Sequence, residues 1–529
     1  MSEFSKEDNF TEEVKPKKTN KFLKAVGFDR ELKQTNIRTE LIAGVVTFLA
    51  MAYILTVNPN QIFGSTASPY WASCFMATAL GAVIGTLLMA FLAKMPLAQA
   101  SGMGLNSMLG GLIGCTAGYA AAFTPGQAFF LVLISGILFL SLSFIKIKGK
   151  TFRELIFDGM PIPVRGAISV GIGLFIAYIG FQNAGVIIHD GFTQVGFVDF
   201  TDWGNQIVNI GLPFKGVPGT EWAAAKTAVV ALTGLFLIAI LDKLKVKGSI
   251  IIGVLGATLI GIPLGVTNLS VLNGSVDGIS WKFWENYKNF FAGENTVFGS
   301  FVSVFTGDGV MPAGVSVFTV IMIVITLCMI DMFETMGTIV GCCGGNRLLS
   351  DENNKPYNYG KIMLCDAIAT CTGAMLGTST VTTFVESGAG VSAGGRTGLT
   401  AFTVAIIFLL TTLAMPLFAV VPSAATASAL VYVGVLMMKN NIKAVDFSNA
   451  INATSAFLTI VVMVLAYSIT KGIGVGLIAY TLMSAIAYVI EIIKYAITKK
   501  NKPTWNVSIV AIVVTLLFAI YFFVPATLF

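Results

Sequence analysis

The chain has 529 residues, 55% of them hydrophobic and only 11% charged, with a formal net charge of +6. Soluble domains carry about 25% charged residues, so a soluble enzyme is excluded. Forty Phe, 55 Gly and a mean hydropathy of +0.82 fit a protein that crosses a membrane many times, where Gly is tolerated inside spans.

The first 40 residues hold 17 charges, which excludes a cleavable signal peptide with its apolar stretch close behind a short basic start. Residues 1–39 read as a cytoplasmic tail, with an interfacial helix expected around Phe28 to Arg38. About 20 apolar residues span a bilayer as a helix. That ruler places spans near 40–59, 71–93, 97–118, 126–145, 162–183, 223–241, 249–267, 314–338, 360–377, 384–395, 399–420, 424–438, 451–470 and 473–493, fourteen in all. The piece at 384–395 is too short and too Gly-rich to cross alone as a continuous helix. The last apolar run, Val507 to Phe529, is a fifteenth candidate that either crosses or lies in the interface.

Lys and Arg gather on the cytoplasmic side of membrane proteins. The expected inside loops carry Lys146, Lys148, Lys150 and Arg153, then Lys243, Lys245 and Lys247, then Arg347 and Lys355, then Lys439 and Lys443. The opposite loops near 60–70, 119–125 and 378–383 have no charged residue, and two long outside segments run over roughly 184–222 and 268–313. The alternation supports an even number of crossings up to residue 494, with the N-terminus in the cytoplasm.

An internal repeat shows in two places. Thr47-Phe-Leu-Ala-Met-Ala-Tyr-Ile-Leu-Thr56 aligns with Thr326-Leu-Cys-Met-Ile-Asp-Met-Phe-Glu-Thr335, and Ser101-Gly-Met-Gly-Leu-Asn-Ser107 aligns with Ser387-Gly-Ala-Gly-Val-Ser-Ala393. The shifts are 279 and 286 residues, each about seven spans. Seven is odd, so the second half is expected upside down relative to the first. Inverted repeats of this kind mark transporters, with the substrate site at the midplane where the repeats meet.

Asp331 and Glu334 lie deep in an apolar span and, three apart, share one helix face. An Asp at a helix centre in the bilayer costs roughly 2.5–3.5 kcal/mol. Such residues face a cavity and mark an ion or substrate path, unless a neighbour's Ser, Thr or backbone groups bond them structurally. Glu386 opens Glu386-Ser-Gly-Ala-Gly-Val-Ser-Ala-Gly-Gly-Arg396-Thr-Gly398, too rich in Gly for one stable helix. Broken backbone at membrane depth is permitted only where it is buried in protein or lines a cavity, and there its free N–H and C=O groups can bind a ligand. Glu386 is expected to contact that ligand, the alternative being an N-terminal cap. Asn106 sits at the matching break and either caps its half-helix or touches substrate. Ser101, Gly102 and Ser387 flank the two breaks and join the candidate substrate-binding set.

Other polar residues carry plainer readings. Asp366 is a hydrogen-bond partner in bundle packing, Arg396 neutralises the cytoplasmic end of the tenth segment, and His189 is solvated in an outside loop. Gly81 and Gly85 suit close helix packing. Gly341-Cys-Cys-Gly-Gly345 lacks the Lys-Ser/Thr of a nucleotide loop. The seven Cys show no zinc spacing, and one His cannot build a His-based metal centre. No HExxH, GxSxG or His-rich set is present, so no catalytic residue, metal, cofactor or nucleic-acid partner is expected.

These residues resemble the nucleobase–cation symporter-2 family, the nucleobase–ascorbate transporters, and within it the AzgA-like hypoxanthine–adenine–guanine permeases. The resemblance runs from Phe28-Asp-Arg-Glu-Leu-Lys33 to about residue 495. It is most specific at Gly102-Met-Gly-Leu-Asn106, Asp331-Met-Phe-Glu-Thr335 and Glu386-Ser to Gly-Gly-Arg-Thr-Gly398. It implies an all-α polytopic membrane protein of fourteen segments in two inverted sevens. Short strands in segments 3 and 10 would lead into half-helices. Core pieces would cover 40–145 and 314–420, gate pieces 146–313 and 421–495, with 496–529 a C-terminal apolar segment of uncertain topology. It also implies a homodimer in the plasma membrane, with Asp331, Glu334 and Glu386 at the family's acidic site positions and Asn106 at a third-segment position functional in its purine branch. Uracil and xanthine branches have Glu-Asn or Gln-Asn where this chain has Glu386-Ser387, and some carry a His in segment eight that this chain lacks. The expected activity is therefore uptake of adenine, guanine or hypoxanthine coupled to a cation, H⁺ before Na⁺, with a proton shared by Asp331 and Glu334. The rivals are a carrier of another small solute such as an anion, a membrane-embedded enzyme, and a cation channel.

Overall fold

The computed structural model describes residues 21–28, 34–64, 66, 68–114, 123–147, 150–151, 159–190, 194–201, 224–246, 248–273, 279–293, 296–312, 314–343, 347–350, 356–445, 447–466, 469–499, 504–505 and 507–523. Long apolar runs become helices because a bilayer offers the backbone no hydrogen-bond partner but itself. Among the described residues seven helices are long and apolar enough to cross: Ile37–Phe63, Trp71–Ala93, Pro125–Phe144, Pro163–Asn183, Ala225–Lys243, Gly398–Ala419 and Lys471–Thr498. Shorter apolar helices include Met103–Ile113, Ser249–Gly261, Val317–Met332, Ser423–Lys439 and Ala450–Leu465.

The first described helix is α1 (Lys21–Ala25); of the stretch Phe28 to Arg38, expected as an interfacial helix, residues 29–33 lie outside the described residues. The Phe22 ring packs edge-on against Phe91 and Phe402, and the Gly398 N–H donates to Val26 O at 3.0 Å. The first span is α2 (Ile37–Met51) followed by α3 (Ile54–Phe63). Between them the backbone tightens to three-residue hydrogen bonds, Leu55 N–H to Ala52 O at 3.3 Å and Thr56 N–H to Tyr53 O at 3.1 Å. Pro59, inside α3, cannot donate to Leu55 O and leaves that carbonyl without its intrahelical partner. Next come α4 (Trp71–Leu88), β1 (Gln99–Ser101), α5 (Met103–Ile113) and α6 (Pro125–Phe144). A Thr124–Gln127 capping box starts α6.

Two-residue strands β2 (Lys146–Ile147) and β3 (Lys150–Thr151) pair with each other. Helix α7 (Ile162–Asn183) follows, then the hairpin β4 (Ile187–Asp190) and β5 (Gln194–Phe197), with His189 opposite Val195. After residues 202–223, which lie outside the described set, come α8 (Ala224–Lys243) and α9 (Ser249–Gly261). The stretch 268–313, expected as a long outside segment, contains α10 (Phe283–Ala292) and α11 (Val297–Ser303), with Tyr287 Oη 2.9 Å from Thr412 Oγ.

The second half carries α12 (Val317–Cys343), α13 (Tyr359–Leu376), β6 (Val381–Thr383), the short α14 (Ser387–Ser392), α15 (Gly398–Thr411) and α16 (Met415–Ala419). It ends with α17 (Ser423–Asn441), α18 (Ala450–Leu465), α19 (Ile469–Thr498) and α20 (Ile509–Phe523). α20 packs on α19, with Thr481 and Thr515 hydroxyls 2.9 Å apart.

Two packing groups stand out. Helices α2 to α6 pack with α12 to α15, while α7 and α8 pack with α17, and α18 lies on α7 and α19. The outer surface keeps large apolar side chains exposed, among them Ile486, Ile490, Ile493, Leu516 and Phe523. A water-facing patch of that size would aggregate, and lipid is the solvent that suits it.

Residues 378–383, expected as an uncharged outside loop, are interior. Every residue from Thr378 to Val381, with Thr382, is 0% exposed. A Ser/Thr-rich run looks like a loop in water. At membrane depth the same hydroxyls serve as partners for broken backbone, which is why such a run can be buried here.

Candidate functional site

The strands β1 and β6 run antiparallel through the interior, pairing Gln99 with Thr383, Ala100 with Thr382 and Ser101 with Val381. Each supplies the other's backbone hydrogen bonds, which satisfies a strand in a place without water. The ladder extends at both ends, with Gly102 N–H to Thr380 O at 2.8 Å and Phe384 N–H to Ala98 O at 3.0 Å. Small residues let the neighbours come close. A side chain at Gly85 would meet Gln99 and Val381, and one at Gly81 would meet Val381 and Thr378.

Each strand leads into a short helix, but not in the same way. α5 begins two residues after β1, whereas Phe384, Val385 and Glu386 intervene between β6 and α14. Matched strand to strand, the offset is 381 − 99 = 282 residues, between the shifts of 279 and 286 that the two sequence matches give. The extra turn is where Glu386 sits.

Glu386 has helical backbone angles and makes no side-chain cap hydrogen bond, so the capping alternative fails. Its side chain, 5% exposed, turns toward the first span, where Tyr53 Oη donates to Glu386 Oε1 at 2.5 Å. Glu386 Oε2 is buried with no hydrogen-bond partner. Glu334, half-buried on α12, also has an unpartnered buried oxygen, Oε2. That oxygen lies 3.3 Å from where a Cβ on Gly102 would be, and Thr380 Oγ and Thr382 Oγ lie 3.2 and 3.3 Å from the same position. The acids whose charge acts on Glu334 are Asp366 and Glu386.

Asp331 is fully buried one turn earlier and accepts from Thr370 Oγ on α13 at 2.9 Å. Asp366 is a packing partner by its geometry. It accepts from Gln99 Nε2 at 2.9 Å, Thr335 Oγ at 2.8 Å and Thr383 N–H at 3.1 Å, tying α13 to both strands and α12.

Asn106 does not cap α5, whose N-cap is Gly102. Its Oδ1 accepts from Ser101 Oγ at 3.1 Å and from Ser379 Oγ, and its Nδ2 donates to Gln61 Oε1 at 3.2 Å. Ser101 Oγ also lies 3.1 Å from Thr378 Oγ, which accepts from Asn58 Nδ2 at 2.8 Å. A polar file thus joins α3, β1, α5 and the entry to β6. Ser387 Oγ accepts from Ala98 N–H at 3.0 Å. Ser101, Ser387 and Asn106 are thus engaged within the crossing, while Glu334 Oε2, Glu386 Oε2, Gln99 Oε1 and Asn58 Oδ1 are buried acceptors without a hydrogen-bond partner.

Sequence reasoning missed three features. Tyr53 looked like one more aromatic in an apolar span. Glu40 stood at the start of the first expected span and was given no role, yet it is 0% exposed and accepts from Arg396 N–H at 3.0 Å, Thr397 N–H at 3.3 Å and Thr400 Oγ at 2.5 Å. Arg396 in turn donates from Nη1 to Val391 O at 2.6 Å and Gly395 O at 2.7 Å, closing the C-terminal end of α14. Thr380 and Thr382 were read as loop residues. The signal that could have found Glu40 and Tyr53 is a polar group inside or at the mouth of an apolar run, the same signal that found Asp331. Among the described residues no group of three or more His, Cys, Asp or Glu is placed to hold a metal ion.

Apolar helices, a buried crossing of two short strands and acids with open oxygens define a multi-pass membrane permease. A family model described as "Permease family" (Xan_ur_permease) matches residues 38–475, and the chain belongs to that family. It is 33% identical to the "Putative permease MJ0326" of Methanocaldococcus jannaschii over 93% of this chain and 97% of that one. It is 33% identical to the "Guanine/hypoxanthine permease PbuO" of Bacillus subtilis over 87% and 94%. It is 31% identical to the "Adenine permease AdeP" of Escherichia coli over 85% and 87%. Among solved structures, the transmembrane domain of the cyanobacterial bicarbonate transporter BicA resembles it in fold, at TM-score 0.54 and 14% identity, covering 84% of this chain and 97% of that one. The structure of SLC26A9 gives TM-score 0.51 at 13% identity, covering 89% and 68%. The family resemblance read from Gly102–Asn106, Asp331–Thr335 and Glu386–Gly398 is borne out.

Proposed function

We propose that this protein imports purine nucleobases, namely adenine, guanine or hypoxanthine, across the plasma membrane, coupled to a cation, H⁺ in preference to Na⁺. The observation that carries the reading is the pair of buried carboxylate oxygens, Glu334 Oε2 and Glu386 Oε2, that lack a hydrogen-bond partner beside the strand crossing. A purine is flat and neutral, with N–H donors and N or O acceptors on its edges. An ionised carboxylate accepts from those N–H groups in charge-assisted bonds. Each is worth roughly 1.5–3 kcal/mol, enough for about tenfold or more in affinity. Gly102 keeps the backbone open to the ligand, and Ser101, Asn106 and Ser387 keep the two broken segments in register. The named activities of the relatives, guanine/hypoxanthine and adenine permease, support the substrate class.

The cation is carried on Asp331 and Glu334. Taking up a proton there relieves the cost of several negative charges in a dry interior, so loading of base and proton is linked. In this reading the α2–α6 and α12–α16 group is the core, built as inverted repeats of fourteen segments in total. The α7–α9 and α17–α19 group is the gate, and the two move against each other to alternate access. The N-terminus is cytoplasmic and the protein is a homodimer.

The test is uptake of radiolabelled adenine, guanine and hypoxanthine into proteoliposomes under imposed proton or sodium gradients. Saturable uptake that follows an inward proton gradient is expected. No saturable purine uptake under any gradient, or displacement by sulfate or bicarbonate as effective as by unlabelled purine, would replace this reading with that of an anion carrier.

A further inference from the structure

The ends of several helices meet at one edge of the molecule. Glu40, near the start of α2, accepts from the backbone of Arg396 and Thr397, which lead into α15. A Cβ on Gly398, the first residue of α15, would fall 2.1 Å from Ala90 O in the span Trp71–Ala93. Ala93 O, at the end of that span, accepts from Asn358 Nδ2 at 3.1 Å, just before α13. The segment Lys21–Phe28 straps this edge. Gly398 N–H donates to Val26 O at 3.0 Å, and the Phe22 ring lies 6.2 Å from Phe91 and 5.0 Å from Phe402. Gly27, at φ +70°, brings the strap so close to Lys94 that a Cβ there would sit 2.9 Å from Lys94 Cβ.

Two kinds of side chain stay exposed on this edge. Phe22, Phe91 and Leu92 are 38%, 40% and 37% exposed beside the span ends, where lipid is the neighbour. Lys21, Lys24, Arg38, Lys94 and Lys361 are exposed as well. The acids of the same stretches, Glu40 and Asp366, are buried, so among the described residues no exposed carboxylate of this edge answers those cations. The bias is already present in the chain: residues 15–38 hold eight Lys or Arg and two Asp or Glu, a surplus of six that equals the formal net charge of the whole protein.

We propose that this edge is a binding surface for anionic phospholipid, with phosphate headgroups on Lys21, Lys24 and Lys94 and acyl chains against Phe22 and Phe91. Cations and aromatic rings side by side at span ends suit the headgroup zone, where phosphate and hydrocarbon also lie side by side. A nucleic acid or an acidic peptide would satisfy the lysines and leave the rings bare. The anionic leaflet faces the cytoplasm, which agrees with a cytoplasmic N-terminus. Every element of the edge belongs to the α2–α6 and α12–α15 group or is strapped to it, so the headgroups hold that group and not the one formed by α7, α8 and α17. The proposal does not depend on what the protein transports.

The experiment titrates the purified full-length protein, in a neutral detergent, with phosphatidylglycerol or phosphatidylcholine and reads the melting temperature. Phosphatidylglycerol should raise it more than phosphatidylcholine does, and high salt should narrow the difference. A basic residue near an anionic surface strengthens the attraction by about fivefold, so K21Q/K24Q/K94Q should need at least about tenfold more phosphatidylglycerol for half the effect. K243Q/K245Q/K443Q removes the same charge from other helix ends and should stay within about twofold of the wild type. All six lysines are exposed, so melting without added lipid reports that both variants fold. Equal stabilisation by the two lipids, or an unchanged response of K21Q/K24Q/K94Q, overturns the proposal. So does an equal loss in both triple variants, which would mean surface charge in general. Equal stabilisation by inorganic phosphate would mean a site for the free anion and overturns it too. Each of these outcomes leaves the purine-transport reading standing, and an absence of purine uptake leaves this surface standing.

Discussion

Glu386 shows how one carboxylate can be both fixed and available. Tyr53 holds Oε1 at 2.5 Å while Oε2 stays without a partner, so the side chain is aimed before any ligand arrives. Glu386→Gln keeps the size but loses the charge that strengthens its hydrogen bonds. Purine uptake should fall below about a hundredth of wild type while membrane insertion, read by expression and gel filtration, stays intact. Wild-type uptake by this variant would remove Glu386 from the site. Tyr53→Phe deletes one hydrogen bond to a charged group, worth roughly 1.5–3 kcal/mol, and should raise purine KM about tenfold, measured by initial rates. The acids on α12 and before α14 were legible because charge in an apolar run is expensive. Tyr53 was not, since a tyrosine in a span is ordinary and its partner lies 333 residues away. Nor were Thr380 and Thr382, whose meaning depends on which face of β6 they occupy.

At the scale of elements, the half-helix α14 is held at both ends and along one side. Glu40 binds the turn after it, Arg396 closes its last carbonyls, and Gly390 lies flat against the first span. A Cβ at Gly390 would come within 1.9 Å of Thr47 Oγ and 2.8 Å of Ala43 O. Gly390→Ala should therefore lower the melting temperature in detergent, and Thr47→Ala added to it should recover part of the loss. Recovery shows that the contact, and not helix propensity, sets the effect. Glu40→Ala strands the Arg396 and Thr397 N–H donors in a dry site, at about 1–3 kcal/mol for each, while the Thr400 hydroxyl keeps the residue-40 carbonyl at 3.2 Å. Its melting temperature should drop by several degrees, with Glu40→Gln in between because an amide oxygen still accepts. The element boundaries were readable wherever composition decides them, as for α7, expected at 162–183 and found at Ile162–Asn183. The Gly-rich breaks near 102 and 386 announced irregular backbone. What they could not announce was its partner, because strand pairing across the chain leaves no local periodicity. Residues 378–383 were misplaced for that reason.

For the whole molecule, the surface and interior have exchanged the roles they have in water. Leu, Ile and Phe face outward on α19 and α20, while Asp, Glu, Asn, Ser and Thr converge near the middle. A membrane supplies the outer solvent, and the buried acids are tolerable only where hydrogen-bond donors, a ligand or a counter-ion complete them. Purine accumulation in proteoliposomes should accordingly collapse when a protonophore removes the pH gradient. Accumulation that survives it would point to another driving ion. Composition alone announced a polytopic membrane protein, since 11% charge cannot cover a water-facing surface. How the helices divide into two packing groups was not in the composition, because it depends on contacts between segments hundreds of residues apart.

The three-rung ladder between β1 and β6 has a consequence for how the protein is made. Its first strand ends at Ser101 and its second begins at Val381, so 381 − 101 = 280 residues separate the partners along the nascent chain. A ribosome adding roughly 5–20 residues per second needs on the order of tens of seconds to cover that distance. Throughout that interval Gln99 to Ser101 has no strand to bond, in a medium that offers no substitute. The early segments must then wait beside the translocon or in a chaperone's care until their late-born counterpart arrives.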